Sequence, residues 1–248
     1  MWLVALLTAW EAAARLGLVN TYLLPPFSKV VINLADELAA GKLWLQTINS
    51  VWIILMGFLL SFALAVVIMV LCVYLPLVES LFIMLSTIFS PLPAVALMPL
   101  VIMWFGINTG AMLALIVHGV LWALLRHLLD GMHSIPPMYR EWGKNIGIPP
   151  WRMFTDIMVF AIMPEFLAGV RIGWGRAWRA LISAEMVFGM IGKLGGLGYY
   201  IYTARAYANI ENVMSGVIVI TMIGILVETL LFGHIEKHTI IKWGMSHE

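Results

Sequence analysis

INSVWIILMGFLLSFALAVVIMVLCVY, the stretch from Ile48 to Tyr74, carries no charged side chain. A helix needs roughly 20 mostly apolar residues to cross a bilayer, and hydrocarbon offers the backbone no hydrogen-bond partner outside the helix itself. This stretch satisfies both conditions. The rest of the chain agrees: 62% of its 248 residues are hydrophobic and only 11% are charged, whereas soluble domains run to about 25% charged. A soluble core cannot hide that much apolar surface, so lipid is the expected solvent. A net charge of +1 argues against a nucleic-acid partner. The single Cys72, set in an apolar run, excludes a disulfide framework or thiolate metal cluster.

Further spans are expected at Leu77–Phe105, which Pro91, Pro93 and Pro99 interrupt, at Thr109–Leu125, at Ile157–Phe188, which carries charges, and at Val213–Gly233. The first segment, Trp2–Val19, is purely apolar only to Trp10, about 14 Å of helix. It spans only if Glu11 and Arg15 are tolerated, and their spacing, acid first and four apart, suits an ion pair on one face. No basic n-region precedes it, so it does not read as a cleavable signal peptide. The prediction is an all-α, polytopic membrane protein of about six helices, a single domain over residues 1–248. Arg126, Arg140, Lys144, Arg152, Lys237 and Lys242 face one side; Lys29, Lys42, Lys193 and Arg205 face the other. That asymmetry places the first set, and both termini, in the cytoplasm.

The loop at about 126–156 has a structure of its own. Pro136-Pro137 suits a helix start, and Gly147 suits the left-handed position just past a helix end. Between them Met138, Trp142 and Ile146 recur every four residues as an apolar stripe, with Tyr139 beside it. Such a helix can insert into a partner's groove or lie flat on the membrane surface; the pattern alone fits both.

Glu141-Trp-Gly-Lys-Asn-Ile-Gly147 resembles the coupling loop of ABC importer permeases, where Glu-Ala-Ala is followed by Gly six residues after the Glu. The acid and the glycine match; the alanine pair is Trp142-Gly143 here, and the family's later leucine-proline pair reads Val159-Phe160, with Pro164 beyond it. Pro91-Leu-Pro93, Pro99-Leu100 and Trp104-Phe-Gly106 resemble the third span of nitrate/sulfonate/taurine-type permeases. Gly169, Arg171, Gly175-Arg-Ala-Trp178 and Ala184-Glu-Met186 are similar to the fifth, Gly196-Leu-Gly198-Tyr199 to the segment after it, and Leu23–Pro26 to the lead into the first outer loop. Together these cover roughly residues 10 to 240. The resemblance implies the type I ABC importer permease fold in a bacterial inner membrane. It also implies a second permease subunit (a homodimer in preference to a heterodimer), two ATPase subunits that bind ATP and Mg, and an extracytoplasmic solute-binding protein. This chain would hold no cofactor. The ATPase contact would involve Met138, Tyr139, Glu141, Trp142, Ile146 and Gly147, and the cargo would be a small anion such as a sulfonate, nitrate, bicarbonate or carboxylate.

Charges within a span cost about 2.5–3.5 kcal/mol each on insertion scales and face protein or water. Arg171 and Arg179 fall within about 80° of each other on an ideal helix, while Arg176 and Glu185 are roughly opposite. Arg176, Arg179 and Glu185 are candidates for buried pairs or for the solute pathway, the pairs being the preferred reading; Glu165 and Arg171 read as interfacial. Gly169, Gly173 and Ala177, continuing near Ala180 and Ala184, form a small-residue face for close helix packing. The prolines of the third span kink it. A break of that kind survives in lipid only beside protein or a water-filled cavity, so Ser90, Pro91, Pro93 and Pro99 are placed beside the pathway, with an architectural kink as the equal alternative.

Gly192-Lys193 lacks the remainder of a phosphate loop, and His234 and His238 lack a third metal ligand. No nucleophile–base pair points to an enzyme. The alternative to an ATP-driven permease is a self-contained secondary transporter or channel, and a membrane scaffold without transport is a third class.

Overall fold

The computed structural model describes residues 1–192 and 194–241; Lys193 and Lys242, both counted in the charge asymmetry, lie outside them. No strand occurs among the described residues. The elements are α1 (Trp2–Arg15), α2 (Phe27–Ala39), α3 (Lys42–Tyr74), α4 (Pro76–Phe89), a 3₁₀ turn (Ala94–Leu97), α5 (Met98–Phe105), α6 (Thr109–Ser134) and α7 (Pro137–Asn145). There follow α8 (Pro150–Arg152), a π-helical stretch (Met153–Met158), α9 (Val159–Ala161), α10 (Met163–Phe188), α11 (Leu197–Ala206) and α12 (Ile210–Leu226). The last runs through a π-helical stretch into α13 (Gly233–Glu236) and ends in a further π-helical stretch (Lys237–Ile241).

Among the described residues, three helices are long and apolar enough to cross a membrane: Lys42–Tyr74, Thr109–Ser134 and Ile210–Thr239. Two bent pairs bring the number to five if each is one span. Pro76–Phe89 and Ala94–Phe105 meet at 92°, and Thr155–Ala161 and Met163–Phe188 meet at 53°. Both bends fall where proline removes a donor: Pro91 and Pro93 in the first, Pro164 just inside α10 in the second. α1, the expected first span, is not among these spans: its 14 residues give about 21 Å of helix against a hydrocarbon core of about 30 Å. The expected ion pair within it forms, with Arg15 Nε 2.6 Å from Glu11 Oε1. Glu11 also accepts from the Ser28 amide (3.0 Å) and hydroxyl (2.8 Å), so the acid fastens α1 to the start of α2. Trp10 adds an indole N–H bond to the Pro25 carbonyl at 2.9 Å and a ring contact with Phe27.

α6 and α10 form the centre of the bundle, with α3 against them. They approach closely because small residues line the seam. A Cβ added at Gly169 would lie 2.8 Å from the His127 Cβ, and one at Gly173 would lie 3.2 Å from a Val120 methyl. The predicted small-residue face is therefore a helix–helix contact, in which packing replaces the hydrophobic force that lipid cannot supply. Two apolar cores flank this seam. One, far from α7, holds Ile54, Ile116, Leu181 and Leu197. The other, at the α7 end, holds Leu125, Leu129, Ile135, Met153 and Ile162.

Candidate functional site

The break between α4 and α5 opens a cavity of about 500 Å³ lined by Ser90, Pro91, Leu92, Pro93, Ala94 and Val95 on one wall. His118 and Gly119 of α6, Ile220 of α12, and Arg176, Trp178, Arg179, Ala180, Ile182 and Ser183 of α10 complete it. The break follows from the sequence: Pro91 and Pro93 cannot donate to a helical ladder, so α4 stops at Phe89 and the chain restarts in the 3₁₀ turn. The freed polar groups find partners. Arg176 Nη1 donates to the Ser90 hydroxyl at 3.1 Å and lies 3.4 Å from its carbonyl. His118 Nε2 lies 3.2 Å from the Leu92 carbonyl, and the Trp122 indole N–H donates to His118 Nδ1 at 3.2 Å.

Five of the seven pathway candidates thus share one cavity: Ser90, Pro91, Pro93, Arg176 and Arg179. Pro99 does not join them; it sits in the first turn of α5, outside the lining. Glu185 does not join them either. The charges do not pair with one another: neither Arg176 nor Arg179 forms an ion pair among the described residues, and no carboxylate lines the cavity. The arginines that do pair among the described residues lie elsewhere: Arg171 with Glu228 and Glu236, Arg126 with Asp130 within α6, and Arg15 with Glu11.

Glu185 is buried at 1% exposure. Its carboxylate accepts from the Ser50 hydroxyl (2.7 Å) and from the Gly198 amide (2.8 Å), and the Ser50 oxygen accepts the Leu197 amide at 2.9 Å. Leu197 and Gly198 open α11, whose N-cap Gly196 has no side chain to satisfy first-turn donors. α10 and α3 supply those acceptors instead. A Cβ at Gly196 would fall 2.0 Å from the Glu185 carboxylate, so the position must be glycine. Neither Ser50 nor His118 stands out in the sequence. The available signal was the His118–Trp122 spacing of four; that of Ser50 depends on a contact 135 residues away.

At the other end, α7 forms where Pro136-Pro137 predicts. It ends at Gly147 (φ +72°), with the Ile148 amide bonded back to the Gly143 carbonyl at 2.8 Å. This is a left-handed helix stop. Met138, Tyr139, Trp142 and Ile146 are all exposed, as is Glu141. Gly143 is buried: a Cβ there would come within 2.8 Å of Met153 in the core below. The replacement of the alanine pair by Trp142-Gly143 thus has a local reason, since the glycine seats α7 on Met153 while the tryptophan points away.

A cavity at a broken span, together with an amphipathic helix presented on a loop between spans, fits a multi-pass membrane transport component. The chain belongs to the binding-protein-dependent transport system inner membrane component family, which residues 73–240 match. Its fold is accordingly that of the type I ABC permeases, in the inner membrane. It is 24% identical over 243 residues to an aliphatic sulfonates transport permease protein of Bacillus subtilis, covering 98% of this chain and 86% of the relative. It is 25% identical over 231 residues to the taurine transport system permease protein of Escherichia coli, covering 91% and 82%. A formylaminopyrimidine transport permease protein of Halalkalibacterium halodurans is 25% identical over 226 residues, covering 91% and 88%.

Proposed function

We propose that this ABC permease subunit forms the translocation pathway of a bacterial importer for a small organic or inorganic anion. Two copies enclose the pathway. Two ATPase subunits, which hold ATP and Mg²⁺, grip the exposed face of α7 on the cytoplasmic side, where both termini lie. A solute-binding protein delivers cargo at the opposite face. The observation that carries the anion assignment is the cavity's charge: Arg176 and Arg179 line it and, among the described residues, no carboxylate does. A guanidinium recognises carboxylate and sulfonate oxygens through fixed, forked donors. The sulfonate and taurine transport named for two relatives supports the same chemistry, and the heterocycle named for a third marks the competing cargo class.

The test is ATP-dependent uptake into vesicles holding the complete transporter, with taurine, ethanesulfonate, nitrate, bicarbonate and formylaminopyrimidine offered in turn. One or more anions should be carried. Arg179→Ala should reduce that uptake about tenfold or more, the loss of one charge-assisted contact. Transport of the neutral heterocycle alone, or anion uptake indifferent to replacement of both arginines, would overturn the anion assignment.

A further inference from the structure

The loop that breaks the third span is held by α6, and α6 also carries α7. His118 lies 16 residues before Ser134, the last residue of α6, about 24 Å along the helix axis. Only Ile135 and Pro136 separate that end from α7. Four side chains make the grip. The Trp122 indole can only donate, so its bond to His118 Nδ1 fixes the imidazole as the tautomer with its proton on Nε2. That proton is then directed at the Leu92 carbonyl, 3.2 Å away. The Trp122 ring also stacks on Phe89, the last residue of α4, with centroids 5.3 Å apart and planes 16° apart. Phe89 meets the His118 ring edge-on at 6.4 Å and 88°. Arg176, on the helix packed against α6, holds Ser90 from the other side.

We infer that His118, oriented by Trp122, is the positioning residue that transmits movement of α7 to the cavity wall through the Leu92 carbonyl. The inference rests on the importer reading above. In a continuous helix the Leu92 carbonyl would accept from the Ala96 amide, but at the break that amide turns to the Pro93 carbonyl, and the imidazole replaces that partner with a group belonging to another helix. A shift of α6 then moves the wall, where a loop bonded only to itself would slide.

The test needs no cargo. Val95 lines the cavity. Val95→Cys, in a background with Cys72→Ser and in complex with the ATPase subunits, is labelled by a charged methanethiosulfonate reagent with and without ATP. With His118 intact, ATP should change the labelling rate about five- to tenfold, the scale of one hydrogen bond's worth of bias. His118→Gln, whose amide nitrogen can replace Nε2 and donate to Leu92, should keep most of that change. His118→Asn, which can serve only the Trp122 side, should lose it while assembling and hydrolysing ATP. A merely structural histidine would not separate these two variants. Trp122→Phe preserves the ring stack but removes the donor, and should weaken the response severalfold. Equal ATP responses in the wild-type, Gln and Asn proteins would overturn the inference. If the His118 variants fail to assemble, an undiminished response in Trp122→Phe overturns it just as surely. Absence of any ATP response with His118 intact would instead overturn the importer reading beneath it.

Discussion

Glu185 shows how a costly residue is made to fit inside a membrane. Both acceptors in its network meet donors that would otherwise be orphaned at the start of α11, and a buried unsatisfied group costs about 1–3 kcal/mol. Glu185→Ala should therefore lower stability by about that amount. Gly196→Ala, which pushes a methyl into the carboxylate, should cost about 1–3 kcal/mol through overpacking. Thermal unfolding in detergent measures both, and near-wild-type melting of either variant would contradict this account. The sequence shows that Glu185 is intramembrane and must be protected, but its alternatives were an arginine partner or a solute. The actual partners are a hydroxyl on α3 and backbone amides, and no periodicity encodes them. Arg176 and Arg179 are the converse: their spacing of three puts them near one face, and the cavity that joins them to Ser90 depends on how α4 ends.

Among the elements, the long helices, the small-residue seam and α7 are legible because each rests on a local rule: apolar length, small-residue spacing, or proline and glycine at the two helix ends. Gly169→Leu should separate α6 from α10 and abolish assembly, a clash well beyond about 1–3 kcal/mol. Gly224→Ala, where nothing lies within 4 Å of the added methyl, should be neutral or stabilise by up to about 1 kcal/mol. Size-exclusion profiles of the purified variants distinguish the two outcomes. The third span was expected to kink, and it turns through 92°; proline marks where a helix must break, while the contacts of His118 and Arg176 that hold the loop lie beyond any local pattern. α2 and α11 were not foreseen as helices, being too short and mixed for a span. α7 carries its own prediction. Gly147→Val forces a β-branched residue into φ +72°, at about 1–2 kcal/mol, and Glu141→Lys reverses an exposed charge. Both variants should fold and assemble, and their ATPase partners should hydrolyse ATP with little transport; wild-type transport per ATP would refute the coupling role of this helix.

At the scale of the whole molecule, the chain has a cavity, a seam and an exposed amphipathic helix, and it belongs to a family of transport-system membrane components. The apolar faces of α3 and α5 are left exposed, Trp52, Leu59, Met103 and Trp104 among them. Lipid and a second permease subunit are the surfaces expected to cover them. Composition made the solvent legible, and the order of motifs made the family legible. The stoichiometry is a property of surfaces between chains and cannot be read from one sequence. Native mass spectrometry of the tagged protein, extracted gently from its host membrane, tests this most directly. The account predicts a species with two copies of this chain and two ATPase chains. Free monomers or permease-only oligomers, with no ATPase in any species under conditions that keep known ABC transporters intact, would contradict it.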